Sequence, residues 1–390
     1  MINIPWMKVL MISSLPVNLN SIQGGVDAVV VNLLKGFESF PEVNLLILSL
    51  GKSDCRKTVK YAGNITIEYL FRKSQFGGKL FNSFFQMRKD VHNHIREFNP
   101  DIVHIQGASP MLFCLLGLNK KNLVITQHGI MAEEINYQKN KTDKLKFWFK
   151  MIVERYFYPR FENYIFISSY NRKFLEQLKG NQNYYGKLIF NPVNPIFFDL
   201  KTHSKFGKRI LYVGVINQRK NLLCLLKAML RLKNKTGGFK LDVIGGFKDE
   251  FYKNLIFSFI KDHNLENEVN FLGWKSQSEL LDLYKKADLF VLPSLQESLP
   301  VSIAEAMAAG RPVIAADVGG VAEMITANKS GFVFNADNSQ ELEEFLLKFC
   351  NEDGLYSRFS EHAREEAMRK FHPGKVVNQT IEFYKMILES

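Results

Sequence analysis

The sequence has little of what staples or anchors a chain. Its 390 residues hold four cysteines, Cys55, Cys114, Cys224 and Cys350, far apart and with no C-x-x-C spacing. That argues against a disulfide framework and a cysteine-built zinc site, and a reducing cytoplasm fits best. No apolar run approaches the roughly 18 residues that span a bilayer; stretches such as Met111–Leu118 are of core length, so the chain is expected not to cross a membrane. Within Met1–Pro16 the apolar run after Lys8 is too short for the core of a signal peptide, and no small-residue cleavage site follows, so the segment reads as a first strand. There is no internal repeat, no low-complexity tract, no G-x-G-x-x-G, no phosphate-binding loop and no nucleic-acid-binding signature. No D-x-D occurs either, and His92 and His94, two apart on an expected helix, cannot face one ligand. No metal and no nucleic acid are therefore expected.

Apolar residues make up 46% of the chain, enough to bury a large core in two to three domains, which excludes disordered and fibrous classes. The net charge of +12 is unevenly spread: residues 1–200 carry 25 basic against 15 acidic side chains, and residues 201–390 carry 26 against 24. A basic excess in one half suits a face that meets something anionic, although solvated lysines explain it equally well. The densest basic and aromatic stretch is Gln138–Arg160, where Lys139, Lys141, Lys144, Lys146, Lys150, Arg155 and Arg160 interleave with Phe147, Trp148, Phe149, Tyr156, Phe157 and Tyr158. It reads as an amphipathic helix.

Short β-rich apolar runs alternate with amphipathic segments. Lys8–Ser13, Asn44–Ser49, Ile102–Ile105, Leu123–Thr126 and Tyr164–Ile167 precede Asn191-Pro-Val-Asn-Pro195, and Arg209–Val213, Lys240–Ile244, Val269–Leu272, Leu289–Leu292 and Pro312–Ala315 follow it. This is the rhythm of parallel sheets with crossover helices, restarted once. The expectation is an α/β chain of two Rossmann-like doubly wound domains facing a central cleft, 1–194 and 195–373, with a last helix in 374–390 packing back on the first. In such sheets ligands bind beyond the carboxyl ends of the strands.

The richest stretch is Leu289–Glu323. A strand ends at Pro293-Ser294, a loop carries Glu297, and a helix beginning near Pro300 carries Glu305 before Gly310. The unsatisfied N–H groups of that helix's first turn suit an anion such as a diphosphate. Two carboxylates beside it would repel phosphate and so are expected to accept hydrogen bonds from hydroxyls of a sugar or ribose. Taken singly, each is as well explained as a helix-end charge.

Glu297-Ser-Leu-Pro-Val-Ser-Ile-Ala-Glu305-Ala-Met-Ala-Ala-Gly310-Arg-Pro-Val resembles the E-x7-E signature of the family 4 retaining glycosyltransferases, which have the GT-B fold. Leu211-Tyr-Val-Gly214, Lys220-Asn221, Ile244-Gly245-Gly246, Phe271-Leu-Gly273, Ala287–Ser294 and Gly319–Glu323 resemble the family in order, as do Gly24-Gly25-Val26, Pro100–His104, Gln127-His128-Gly129 and Ser168-Ser169.

The resemblance implies that Glu305 accepts from the donor ribose and that Glu297 contacts the transferred sugar, with Ser298, Leu299, Pro300 and Val301 nearby. Arg219 and Lys220 would face the diphosphate and stabilise the leaving group. Family members usually carry arginine directly after the glycine at 214; Val215 stands here, so that contact is absent or comes from Arg219. Gly24 and Gly25, like Gly214 and Gly245, would allow close approach of the donor. His128 would hydrogen-bond a sugar hydroxyl and help hold an oxocarbenium-like transition state, and Trp274 could lie beside the base.

The function expected is a hexosyltransferase-type enzyme. It would move a sugar from a nucleoside-diphosphate sugar, with retention and without a cofactor or metal, to a hydroxyl of a saccharide or lipid-linked acceptor in envelope or exopolysaccharide synthesis. Its place would be cytoplasmic, peripheral on the inner face of an anionic membrane. The alternatives are another GT-B enzyme, an epimerase or phosphorylase, and a non-catalytic binding protein.

Overall fold

The computed structural model describes residues 7–19, 24–50, 56–70, 79–107, 110–137, 141–201 and 205–390, the side chains of 79–84, 110 and 234 excepted. Cys55, the start of the first stretch at Met1–Trp6, and Gln138–Asn140 of the basic aromatic stretch lie outside the described residues. The chain divides into two units, Met1–Pro192 with Pro373–Ser390, and Val193–His372.

In the first unit the strands are β1 (Met7–Ser13), β2 (Val43–Ser49), β3 (Lys57–Ala62), β4 (Ile65–Tyr69), β5 (Ile102–Gln106), β6 (Leu123–Gln127), β7 (Asn163–Phe166) and β8 (Tyr185–Leu188). Their order in one sheet is β3-β4-β2-β1-β5-β6-β7-β8, parallel except for β3 against β4. Strands β5, β6 and β7 are buried at every position, because crossover helices cover both faces of a parallel sheet; their polar members His104, Gln106, Thr126, Gln127 and Asn163 are therefore buried with the apolar ones. Edge strand β3, KTVKYA, is partly exposed and carries lysines that discourage pairing with another chain. The last helix, Pro373–Glu389, packs on the helix Gly25–Phe37. A Cβ at Gly36 would lie 2.6 Å from Val377 Cγ2 and 2.8 Å from the Pro373 carbonyl, so the two helices approach too closely for any side chain there.

The second unit has β9 (Arg209–Val213), β10 (Lys240–Ile244), β11 (Val269–Gly273), β12 (Leu289–Leu292), β13 (Val313–Ala316) and β14 (Gly331–Phe334), all parallel, in the order β11-β10-β9-β12-β13-β14. The order reverses between β9 and β12, the switch point where loops of a doubly wound sheet diverge and leave a crevice. Each fully buried aliphatic side chain in these strands contributes about 1.5 to 3 kcal/mol. Arg311 is fully buried yet satisfied, donating to the carbonyls of Ala287, Ala309 and Lys201 at 2.9 to 3.1 Å and to the Tyr356 hydroxyl at 3.1 Å. Its role is to tie this layer together.

The ten strand runs read from the sequence coincide with strands to within a residue or so, whereas β3, β4, β8 and β14 have no counterpart among them. These four are short and polar or interrupted by glycine, which weakens their apolar signal.

Candidate active site

In the second unit the loop after β9 meets the loop after β12. Gly245 has φ +128°, and a Cβ there would lie 2.0 Å from the Gly214 carbonyl oxygen, so glycine at 245 is required by backbone-to-backbone packing of the β9 and β10 loops. Beyond Gly214 the Asn217 side chain accepts from the Lys220 backbone N–H at 3.0 Å, and Asn221 adopts the left-handed conformation (φ 49°). This turn presents Arg219 and Lys220 to the β12 loop. Lys220 Nζ forms an ion pair with Glu297 Oε1. Arg219 donates to the carbonyl and side-chain oxygens of Gln296 at 2.8 and 3.0 Å, and its guanidinium lies 3.7 Å from Glu297 Oε2.

Glu297 is only 6% exposed. Burial pushes its carboxyl up, but Lys220 and then Arg219 outweigh that and hold it below the ordinary value, so it is ionised at neutral pH. Its backbone is locked from the other side. Gly319, with φ +58°, sits so close that a Cβ would fall 1.6 Å from the Glu297 carbonyl oxygen, and the Gly320 N–H donates to the Ser298 carbonyl at 3.0 Å.

The helix Val301–Ala308 begins directly after this segment, with Pro300 as its N-cap and no side-chain cap. Ser298, Leu299 and Pro300 are buried, and Val301 opens the first turn half-buried. Glu305 on this helix accepts from the Tyr284 hydroxyl at 3.1 Å. Burial lifts its carboxyl to about 7, partly offset by that hydrogen bond. Thus two glutamates on one short segment are driven to opposite protonation behaviour. Trp274, at the end of β11, is 63% exposed and lies over Gly246, where a Cβ would come 2.7 Å from the indole nitrogen.

In the first unit Gly24 caps the helix Gly25–Phe37 without any side-chain bond. Neither Gly24 nor Gly25 has positive φ, nothing lies within 4 Å of a Cβ at Gly25, and a Cβ at Gly24 would make only ordinary contact with Asp27 at 3.4 Å, so neither the backbone nor the packing here requires glycine. His128 follows β6. Its Nε2 lies 2.8 Å from Gln106 Oε1, and its buried Nδ1 makes no well-formed hydrogen bond, with the Asn191 side chain as neighbour. Burial lowers the ring to about 4, so it is neutral. The residue before it, Gln127, donates to the buried Glu154 at 2.5 Å, and Glu154 also accepts from the Met131 N–H at 3.1 Å. Burial raises Glu154 to about 7.

The structure brings Arg219, Lys220, Glu297, Ser298 and Gly319 together at one switch point. The residues absent from the sequence reading are Tyr284, Glu154, Gln106 and Tyr384; His104 stood in a quoted motif without a role. Their partners are 21 to 280 positions away, beyond the reach of any local spacing rule.

The sequence profile of the Glycosyl transferases group 1 matches residues 198–366, and that of Glycosyltransferase Family 4 matches residues 23–195. A glycosyltransferase of Methanocaldococcus jannaschii is 28% identical over 93% of this chain and 94% of its own. The amylovoran biosynthesis glycosyltransferase AmsK of Erwinia amylovora is 33% identical over 40% of each chain. A second M. jannaschii glycosyltransferase is 27% identical over 54% of its length, so this chain spans about half or less of these last two relatives. Among solved structures, sucrose-phosphate synthase from Thermosynechococcus elongatus has a TM-score of 0.78 at 17% identity, covering 98% of this chain and 99% of that one. Anabaena HepE, solved with UDP and glucose, has 0.72 at 17% identity over 97% and 99%. At such identities the likeness shows the fold, which is GT-B. Two adjoining profiles that together take in most of the chain, laid over two parallel sheets of this topology, make it a member of the group 1, family 4 glycosyltransferases.

Proposed function

We propose that this chain transfers a sugar from a nucleoside-diphosphate sugar to a hydroxyl of a saccharide or lipid-linked acceptor, with retention of anomeric configuration and without a metal. The observation that carries the reading is the buried cluster of Arg219, Lys220 and Glu297 at the β9/β12 switch point, beside the uncapped start of the helix Val301–Ala308. In this reading Arg219, Lys220 and the helix N–H groups neutralise the departing diphosphate, and Arg219 supplies the cation missing at Val215. Glu305 accepts from the ribose, and Glu297 accepts from hydroxyls of the transferred sugar. His128 hydrogen-bonds a further hydroxyl, and Trp274 lies at the base.

Glu297 is unsuited to be a nucleophile, since both carboxylate oxygens already face cations. Front-face displacement is then the favoured course. The acceptor oxygen bonds to the anomeric carbon on the face from which the phosphate oxygen leaves, and that phosphate oxygen takes the acceptor's proton.

The name of AmsK, a biosynthetic enzyme of amylovoran, and the UDP and glucose bound to HepE support an envelope or exopolysaccharide acceptor and a uridine or related donor. A cytoplasmic place at the inner membrane face draws support from the helix Lys141–Phe157 in the basic first unit. Leu145, Trp148, Phe149, Ile152 and Tyr156 form one exposed stripe along it, opposite buried Glu154, with Lys141, Lys144, Lys146 and Arg155 also exposed. Aromatic and aliphatic side chains flanked by cations suit an anionic lipid interface. Incubation with UDP-, GDP- and ADP-sugars in the presence of EDTA tests the central reading. Product with the donor's anomeric configuration is expected from one nucleotide class, and inverted product would refute retention.

A further inference from the structure

In the second unit the helix Gln277–Lys286 starts from a reciprocal cap: Ser276 accepts from the Glu279 N–H, and the Glu279 side chain accepts from the Ser276 N–H. Of its ten residues only Tyr284 is buried. The Tyr284 ring meets Phe197 edge-on with centroids 5.2 Å apart, and lies 6.2 Å from Phe290 of β12 with the planes 24° apart. Packing on both rings fixes the direction of the hydroxyl. Phenylalanine would fill the same space, so packing alone does not account for the oxygen. That oxygen lies 3.2 Å from the Ser302 carbonyl and 3.1 Å from Glu305 Oε2, both in the helix Val301–Ala308. Burial keeps the phenol protonated, so it is a donor with one proton and two acceptors in reach. The Ser302 carbonyl has a second donor in the N–H four residues on in its own helix. Glu305 has no other side-chain donor among the described residues, and Tyr284 is the group that favours its ionised form against burial. Tyr284 has no exposure, whereas Glu305 is half-buried, so a ligand can reach the carboxylate but not the tyrosine behind it.

We propose that Tyr284 is the positioning residue for Glu305: its hydroxyl pins Oε2 and leaves Oε1 to accept from the ribose hydroxyls of a bound nucleotide. The proposal rests on the reading of Glu305 as the ribose acceptor. Being wholly buried, Tyr284 acts through Glu305 and not on the nucleotide. Without the bond, the glutamate side chain regains rotamer freedom and gives up its charge more readily, and both changes weaken it as an acceptor. Tyr284 thereby sets how strongly the site prefers ribose to a sugar without the 2′- and 3′-hydroxyls, while its loss leaves the contacts to diphosphate and base in place.

The test is calorimetric titration of the intact chain with UDP, GDP and ADP, and then with the 2′,3′-dideoxy counterpart of the nucleotide that binds best. The wild type is expected to favour the ribonucleotide by at least about tenfold, as hydrogen bonds to a charged acceptor do. Tyr284→Phe should cut that preference to about threefold or less, while its affinity for the dideoxy nucleotide stays within about twofold of wild type and so reports a folded site. In a Glu305→Gln background, adding Tyr284→Phe should change the preference no further, because one residue acts through the other. A preference as large in Tyr284→Phe as in the wild type overturns the inference. So do equal losses for both nucleotides, the mark of a tyrosine that only supports the fold. Failure of the wild type to bind any of these nucleotides overturns it together with the proposed function. The expected preferences in a protein that releases no diphosphate from a nucleotide sugar would leave the inference standing and remove only the sugar-transfer reading.

Discussion

Lys220 and Glu297 are 77 positions apart and form an ion pair in which Glu297 is only 6% exposed. Sheet order explains the meeting: β9 and β12 are neighbours although β10 and β11 lie between them in the chain. The loops that follow neighbouring strands on either side of a switch point converge on the same place. A carboxylate can stay ionised there because two cations arrive from the other loop.

Removing one cation should show how far Glu297 depends on it. Lys220→Met leaves only Arg219, at 3.7 Å, facing a buried carboxylate, and is expected to cost about 2 to 4 kcal/mol. Adding Glu297→Gln removes the stranded charge and should recover at least half of that loss. Thermal unfolding of the two single variants and the double variant measures the coupling, and strictly additive effects would contradict it.

Glu305 sets a pH dependence of defined sign. Burial raises its carboxyl from the ordinary 4.5 to about 7, so between those values the folded protein binds more protons than the unfolded chain. Stability of the unliganded protein should therefore fall, by about 3 kcal/mol at most, as pH rises from 4.5 through 7. A ribose that donates hydroxyls favours the carboxylate, so nucleotide binding should strengthen as pH rises from 6 to 8. Calorimetric titration at several pH values checks this, and Glu305→Gln should weaken binding and flatten its pH profile.

How much of this was legible beforehand depends on the range of the interaction. The parallel strands of both units were readable because a sheet covered on both faces needs continuous apolar runs, and the helix at Val301 was announced by Pro300 and Gly310. The Glu297 and Glu305 positions stood out through their spacing. Their opposite charge states did not, because these arise from Lys220 across the switch point and from burial beside Tyr284. Likewise Gly245 read as a glycine near a ligand and Gly319 stood in a motif without a role, whereas their contacts are with the backbone at Gly214 and Glu297. Tyr384 gave no signal, since its partner His104 lies 280 positions earlier.

The exposed stripe on the helix Lys141–Phe157 predicts reversible membrane binding. Trp148 and Phe149 are 50% and 54% exposed on the side away from buried Glu154. Replacing both with serine should reduce cosedimentation with anionic vesicles at least tenfold, while neutral vesicles bind weakly even to the wild type. Equal binding of both proteins to anionic vesicles would contradict the assignment.

The central claim, that a charged Glu297 held between two cations serves sugar transfer, is tested most directly by release of nucleoside diphosphate from the donor by the wild type and by Glu297→Gln. The account predicts a fall of at least about 100-fold in turnover, with affinity for the free nucleotide changed by less than about threefold. Turnover by Glu297→Gln within a few-fold of the wild type would contradict it.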